Sequence, residues 1–491
     1  MGNNKNMLVM RSFLYLGLFS GIYLFLYLFL HRGMLFSIFF SSSPLFLLAF
    51  LFLLKNPYAA FILLFIMNYV IMGVTRYYSL KGGIVIDACI GLVFLGILIR
   101  SIKFRWPWEI LKNEFTLAAS IWLLFCLLNL LNPLSPIEAW VIGIRRTAVY
   151  FFVIPVLTFL LFNRYKHLKA ILVIWSGLVL LAVFKALIQK YIGFDAGEMN
   201  WLYEEGKART HVIGSGVRYF SFFTDAANFG CGMAFAMVFF SISSLFMKSK
   251  FLKFYFFVVS IFATYGMLIS GTRVAIAIPF VGYALFVLAS KNIKIIVLGT
   301  VLVAGAFAFL NFTMYGQGNS YIRRMRTAFH PTKDASFMVR IENQKVMRAY
   351  LANKPLGVGI GTAKAAEYSD AEISRIPTDS WLVMVWVETG IIGLLLYLGL
   401  IGYILAKATL IVMSAKNREL WGIQVAFLGG TVGIFVASYA NEVIAQFPNG
   451  PIVYMALAFI FMTDKYDQQL KEQQKRAIDE KSTSLVVHCN G

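Results

Sequence analysis

The sequence predicts an all-α polytopic membrane protein, and three observations carry that class. Of 491 residues, 59% are hydrophobic and 14% charged, with a mean hydropathy of +0.74, a balance that water-soluble globules do not have. The apolar residues fall in runs of helix length, roughly 18 residues or more. Those runs lack the period-two alternation of barrel strands, so helices, which satisfy their own backbone polar groups, are the spanning element.

In chain order the candidate spans are residues 12–30, 34–54, 57–75, 83–101, 114–132, 141–163, 168–188, 226–246, 254–270, 274–290, 293–311, 383–405, 420–440 and 449–463. This puts the architecture at about 12–14 transmembrane helices. Lys5 and Arg11 precede the first run and no small-x-small cleavage site follows it, which reads as a retained anchor rather than a removed signal. Orientation follows from the short connections. Those after the fourth, sixth, eighth, tenth and twelfth spans hold Arg100, Lys103, Arg105 and Lys112; Arg164, Lys166 and Lys169; Lys248, Lys250 and Lys253; Lys291 and Lys294; and Lys407, Lys416 and Arg418. They read as cytoplasmic. The alternate connections His31–Gly33, Asn132–Trp140 and Asn441–Gly450 are poor in cations. Both termini are therefore expected in the cytoplasm, and residues 189–225 and 311–381 on the outer face, where long translocated loops escape the charge bias. One membrane domain, 1–463, would include both outer loops. A polar cytoplasmic tail, 464–491, would follow, with pairs such as Asp467 with Lys471 supporting an exposed helix.

The net charge of +21 is mostly this topology. No basic soluble module is present, so nucleic acid is not an expected partner. Cys89, Cys126 and Cys231 lie in spans and Cys489 in the tail, with no Cys-x-x-Cys or Cys/His spacing, which supports neither a disulfide framework nor a structural zinc site. The first outer connection, His31–Gly33, holds no acid. That argues against a metal-dependent sugar transferase with an acidic pair in that loop.

Function is expected at Asn311–Trp381. About 70 residues with ten Lys/Arg and six Asp/Glu have no packing reason to interrupt a chain of otherwise short connections. Within it, Ser336–Asn353 reads as a helix carrying Arg340, Lys345 and Arg348. The glycines 357, 359 and 361 of PLGVGIG suit a tight turn and close backbone approach to a ligand. They lack the pattern of a nucleotide loop. Arginines recur at the outer ends of spans: Arg145 and Arg146 in VIGIRRTAVYFF, Arg218 in GSGVRYFSFF and Arg273 in SGTRVA. An isolated arginine there snorkels to headgroups as readily as it serves a site. Several at one depth suit a lipid-linked diphosphate, which a guanidinium binds bidentately. Asp379 in TDSW can be a base or a helix cap. Glu388 in VETG can be interfacial or a second functional carboxylate.

The succession GIRRTAVYF (143–151), GVRYFSFFTDAANFG (216–230), SGTRVAIAIPFVGY (270–283), VRIENQKVMRAYLANKPLGVGIG (339–361) and TDSWLVMVWVETGIIGLLLYL (378–398) resembles the O-antigen ligase and polysaccharide polymerase superfamily. The resemblance implies an integral-membrane, C-type-like glycosyltransferase fold. It also implies a metal-independent, cofactor-free inverting transfer of a glycan from undecaprenyl diphosphate to a glycan or lipid A-core acceptor, at the periplasmic face of a bacterial inner membrane. Membrane lipids and a chain-length regulator are the further partners such an enzyme takes. By position, Arg218 and Arg273 would hold the diphosphate and act in catalysis with Asp379, while Arg145, Arg146, Arg340, Gly357, Gly359, Gly361 and Glu388 would bind substrate. The chain departs from the ligase pattern at one place. Ligases usually carry His-Asn where Thr378 and Asp379 stand, and His330 is too far upstream to align there. That shifts the expectation toward a polymerase, with a ligase or a lipid-linked glycan flippase as alternatives.

Overall fold

The computed structural model describes residues 20–21, 23, 27, 30, 34–78, 80–214, 216–329, 335–364 and 372–489. The first candidate span, the His31–Gly33 connection and His330 fall largely or wholly outside them. Among the described residues, ten helices are long and apolar enough to cross a membrane, and three shorter apolar helices accompany them. The protein is all-α and multi-pass. Among the described residues the sheet is confined to two antiparallel two-residue strands, Val212–Ile213 and Gly216–Val217.

The chain divides into two compact units, Met1–Leu64 with Asp87–Arg105 and Phe65–Ile86 with Trp106–Gly491. In the first, a Cβ at Gly96 would lie 3.0 Å from Leu54 O, so a small residue lets two helices approach closely. The second holds most of the buried residues and every candidate site residue. Its centre is the Ala226–Phe246 helix, packed against Lys250–Ile269, Ala277–Ala289 and Arg418–Ala437. Small residues again set the spacing: a Cβ at Gly429 would stand 2.8 Å from Gly282 O. Trp175 fills the space beside this centre, its ring 4.9 Å from those of both Phe239 and Phe240.

Three elements depart from the sequence expectation. The sixth span begins at Ile137 and passes through a π turn at Arg145–Val149, an insertion that hydropathy does not register. The twelfth span runs from Trp381 to Ser414 but breaks at Gly390, where φ is +68°. Asp467, expected to pair with Lys471 in a solvated tail, instead accepts from the backbone N–H of Lys416 at 2.7 Å and Asn417 at 3.0 Å. The tail helix starts docked because these turn amides need an acceptor.

Candidate functional site

Arg218 is placed by a segment whose backbone is tied down on several sides. The buried Arg76 guanidinium lies over Trp201 and Phe220, 4.5 and 4.4 Å from the ring centroids, and donates to the carbonyls of Ser221 and Phe223. Burial pulls Arg76 down to about 10, with Glu198 the main opposing charge. Gln189 Oε1 accepts from Ser221 N–H at 2.9 Å, and its amide donates to Glu198 at 2.7 Å. Asp225 caps the Ala226–Phe246 helix by accepting from Ala227 and Asn228 N–H at 2.7 and 2.8 Å. The loop is thus fixed before it presents its cation.

From there Arg218 donates to Thr210 O at 2.9 Å and to Thr272 Oγ1 at 3.2 Å. Thr272 immediately precedes Arg273, which opens the short 3-10 turn Arg273–Ile276. Gly271, at φ +58°, turns the chain there, and a Cβ on it would lie 3.4 Å from both Arg218 Cγ and Arg324 Cδ. Arg218 and Arg324 therefore converge over one glycine. Burial lowers the Arg218 pKa, Asp225 opposes that, and the charges of Arg273 and Arg340 lower it further. Four arginines gather here, and Arg218 Nε is buried without a hydrogen-bond partner among the described residues.

Arg340 reaches the other side of the site, its Nε 3.9 Å from Asp379 Oδ2. The helix cap is Ser380, whose side chain accepts from Val383 N–H, so the capping alternative for Asp379 is not the observed one. Asp379 instead adopts φ +52°, a conformation costly for most side chains but accessible to Asp. Its neighbour Thr378 donates to Glu442 Oε1 at 2.6 Å, and Lys364 pairs with the same carboxylate. Trp381 N–H donates to Ser438 O at 3.0 Å. Asp379 is consequently flanked by residues tied to Glu442 and Ser438.

The remaining candidates lie apart from these arginines, around the buried Glu388. Arg146 pairs with the fully buried Glu388 at 3.1 Å, and Thr147 approaches the same carboxylate at 3.5 Å. Arg145 lies against Gly83. The glycine turn packs on protein backbone. Val358 and Gly359 N–H donate to Val387 and Glu388 O, both at 3.0 Å, across the break at Gly390. Ile360 N–H donates to Asn129 Oδ1 at 3.0 Å. A Cβ at Gly357 would sit 2.5 Å from Gly390 N, and one at Gly361 would overlap Ala139 O. Gly361→Ala, at φ +85°, should therefore destabilise the protein by about 2–4 kcal/mol. Thermal unfolding of the purified protein checks this against Leu356→Ala, a half-exposed neighbour expected to be near neutral.

Residues 257–398 match the family model for O-antigen ligase. That segment is similar to the O-antigen ligase superfamily. No curated protein matches the chain. The matched segment holds Arg273, Arg324, Arg340, the glycine turn, Asp379 and Glu388, while Arg145, Arg146 and Arg218 precede it. The similarity supports a surface-polysaccharide role of the ligase or polymerase type. The described residues contain no group of three His, Cys, Asp or Glu side chains that could hold a metal.

Sequence reasoning passed over Arg324, Arg76 and Glu442. Arg324 was legible as part of YIRRMR, the densest basic run of the long loop. Glu442 sat in a connection read only for its lack of cations. Arg76 gave no local signal, since its partners lie some 145 residues away.

His211 was not singled out either. Its Nε2 accepts from Ala226 N–H at 3.2 Å, and Nδ1 lies 2.9 Å from Lys207 O, which requires a neutral ring protonated at Nδ1. Burial is the main cause that lowers its pKa to about 4. The unfolded chain, titrating near 6.5, binds the extra proton first, so stability is fully present above about pH 6.5 and falls as pH drops toward 4. The loss should reach about 3 kcal/mol. Unfolding temperatures between pH 7.5 and 4.5 should show it, with a flatter slope in His211→Gln.

Proposed function

We propose that this chain transfers an undecaprenyl-diphosphate-linked oligosaccharide to a sugar hydroxyl on the periplasmic face of a bacterial inner membrane, as a surface-polysaccharide polymerase. The observation that carries the reading is the gathering of Arg218, Arg273, Arg324 and Arg340, the last of them facing Asp379 at 3.9 Å. In the reaction, the acceptor oxygen bonds to the anomeric carbon while the bond from that carbon to the diphosphate oxygen breaks. The electron pair leaves with the diphosphate, where the guanidinium groups meet the developing charge. The acceptor proton passes to Asp379. Attack opposite the leaving group inverts the anomeric centre, and arginine charge serves without a metal.

Two alternatives are less well supported. A ligase that joins glycan to a lipid A-core acceptor usually has His-Asn at the position of Thr378 and Asp379. A flippase needs polar groups through the membrane midplane and access from both faces, whereas these cations stand at one end of the spans. Arg273→Ala tests the reading. An enzyme predicts lipid-linked repeat units accumulating on the outer leaflet with translocation intact, and accumulation on the cytoplasmic leaflet alone would sink it. The surface product separates the two enzymes. A lost polymerase leaves single repeat units on the acceptor, and a lost ligase leaves long unattached chains.

A further inference from the structure

Beside the arginines stands a second cluster that the reaction above does not use. Lys190, at the end of the Tyr165–Tyr191 helix, donates to Tyr265 OH at 2.8 Å. Its ammonium lies 5.0, 5.1 and 5.3 Å from the ring centroids of Tyr191, Tyr265 and Tyr321. Tyr191 and Tyr265 hydroxyls meet at 2.8 Å. Tyr219 joins from the other side: burial first, then the neighbouring Tyr321, raises its phenol to about 12. No carboxylate pairs with Lys190 among the described residues. Tyrosines at a membrane boundary ordinarily anchor it by pointing toward headgroups. Here three rings from three chain segments face one ammonium.

The cluster is continuous with the arginine site through two short links. Tyr219 is the residue after Arg218. Tyr321 and Arg324 lie three apart on the Ser320–Arg326 helix, a spacing that puts both on one face. Arg324 meets Arg218 over Gly271, and Tyr321 meets Lys190. A ligand whose anionic end occupies the arginines would lay its next group on the tyrosines.

We infer that Tyr191, Tyr265 and Tyr321, around Lys190, form a platform for the pyranose that adjoins the diphosphate of the donor. The ring faces pack against the C–H face of the sugar, while Lys190 and the phenols supply hydrogen bonds to its hydroxyl groups. This rests on the proposed function, because it needs the diphosphate beside it. Tyr191 is 70% exposed and so offers a face to a ligand.

Binding to the full-length protein in nanodiscs tests the platform, with two probes: undecaprenyl diphosphate alone and the lipid-linked repeat unit extracted from producing cells. Tyr191→Ala and Tyr321→Ala should each weaken the glycosylated lipid about tenfold and leave undecaprenyl diphosphate unchanged. Tyr321→Phe, which keeps the ring, should retain most of the affinity. Removing the exposed Tyr191 ring spares the fold, and an unchanged unfolding temperature confirms that. Unchanged binding of both lipids, or equal weakening of both, overturns the platform. Failure of the wild-type protein to bind either lipid overturns the function on which it rests.

Discussion

Arg218→Ala is expected to lower glycan transfer by about 10²–10³-fold, the scale seen when one donor to a developing oxyanion is removed. The effect should fall mainly on kcat, because the diphosphate gains charge as the glycosidic bond breaks and the guanidinium is worth most at that moment. Arg218 is the residue to choose because the loop holds it in place: its fork is oriented by Thr210 O and Thr272 Oγ1, and Arg76 and Gln189 fix the backbone behind it. Arg218→Lys keeps the charge but loses the planar fork, so it should recover only part of the rate. A purified enzyme supplied with lipid-linked repeat units gives the measurement. Loss of affinity with unchanged kcat would assign Arg218 to ground-state binding. Arg218→Ala at wild-type rate would remove it from the reaction.

How much of this was legible in the sequence depends on the reach of each interaction. Apolar runs report spans locally, so the class and most boundaries follow from hydropathy alone. The π turn at Arg145–Val149 and the break at Gly390 do not. At the break a Cβ on Gly390 would collide with Pro355 O and Gly357 N, so the position needs glycine, and that partner lies some 35 residues upstream. The arginine site was partly visible for the same reason. Arg218, Arg273 and Arg340 could be named from ordered motifs, but only the fold shows that Arg324 joins them. Conversely, Arg146 shares a run with Arg145 and looks like a cation for substrate, yet its partner is Glu388, 242 positions away. The glycine turn has the spacing of a ligand loop, and its close approach is to the broken helix and to Ser135 and Ala139.

Glu388→Ala should cost about 2–4 kcal/mol of stability, because it leaves the Arg146 guanidinium, only partly reached by solvent, without its carboxylate partner. Glu388 is fully buried and Arg146 partly so, at 0% and 22% side-chain exposure, so solvent screens the carboxylate end of the pair weakly. Arg146→Ala should destabilise comparably by leaving the carboxylate unpaired, with Thr147 at 3.5 Å as its remaining side-chain contact. The double replacement Arg146→Met with Glu388→Leu removes both charges and keeps apolar volume, and should recover most of the loss. Thermal unfolding measures all three. Activity then separates two roles for the pair. If it serves only to bind the glycine turn to the broken helix, the double variant regains transfer along with stability. A stable double variant that fails to transfer would instead bring Glu388 or Arg146 into the chemistry, since no structural defect would remain to explain the loss.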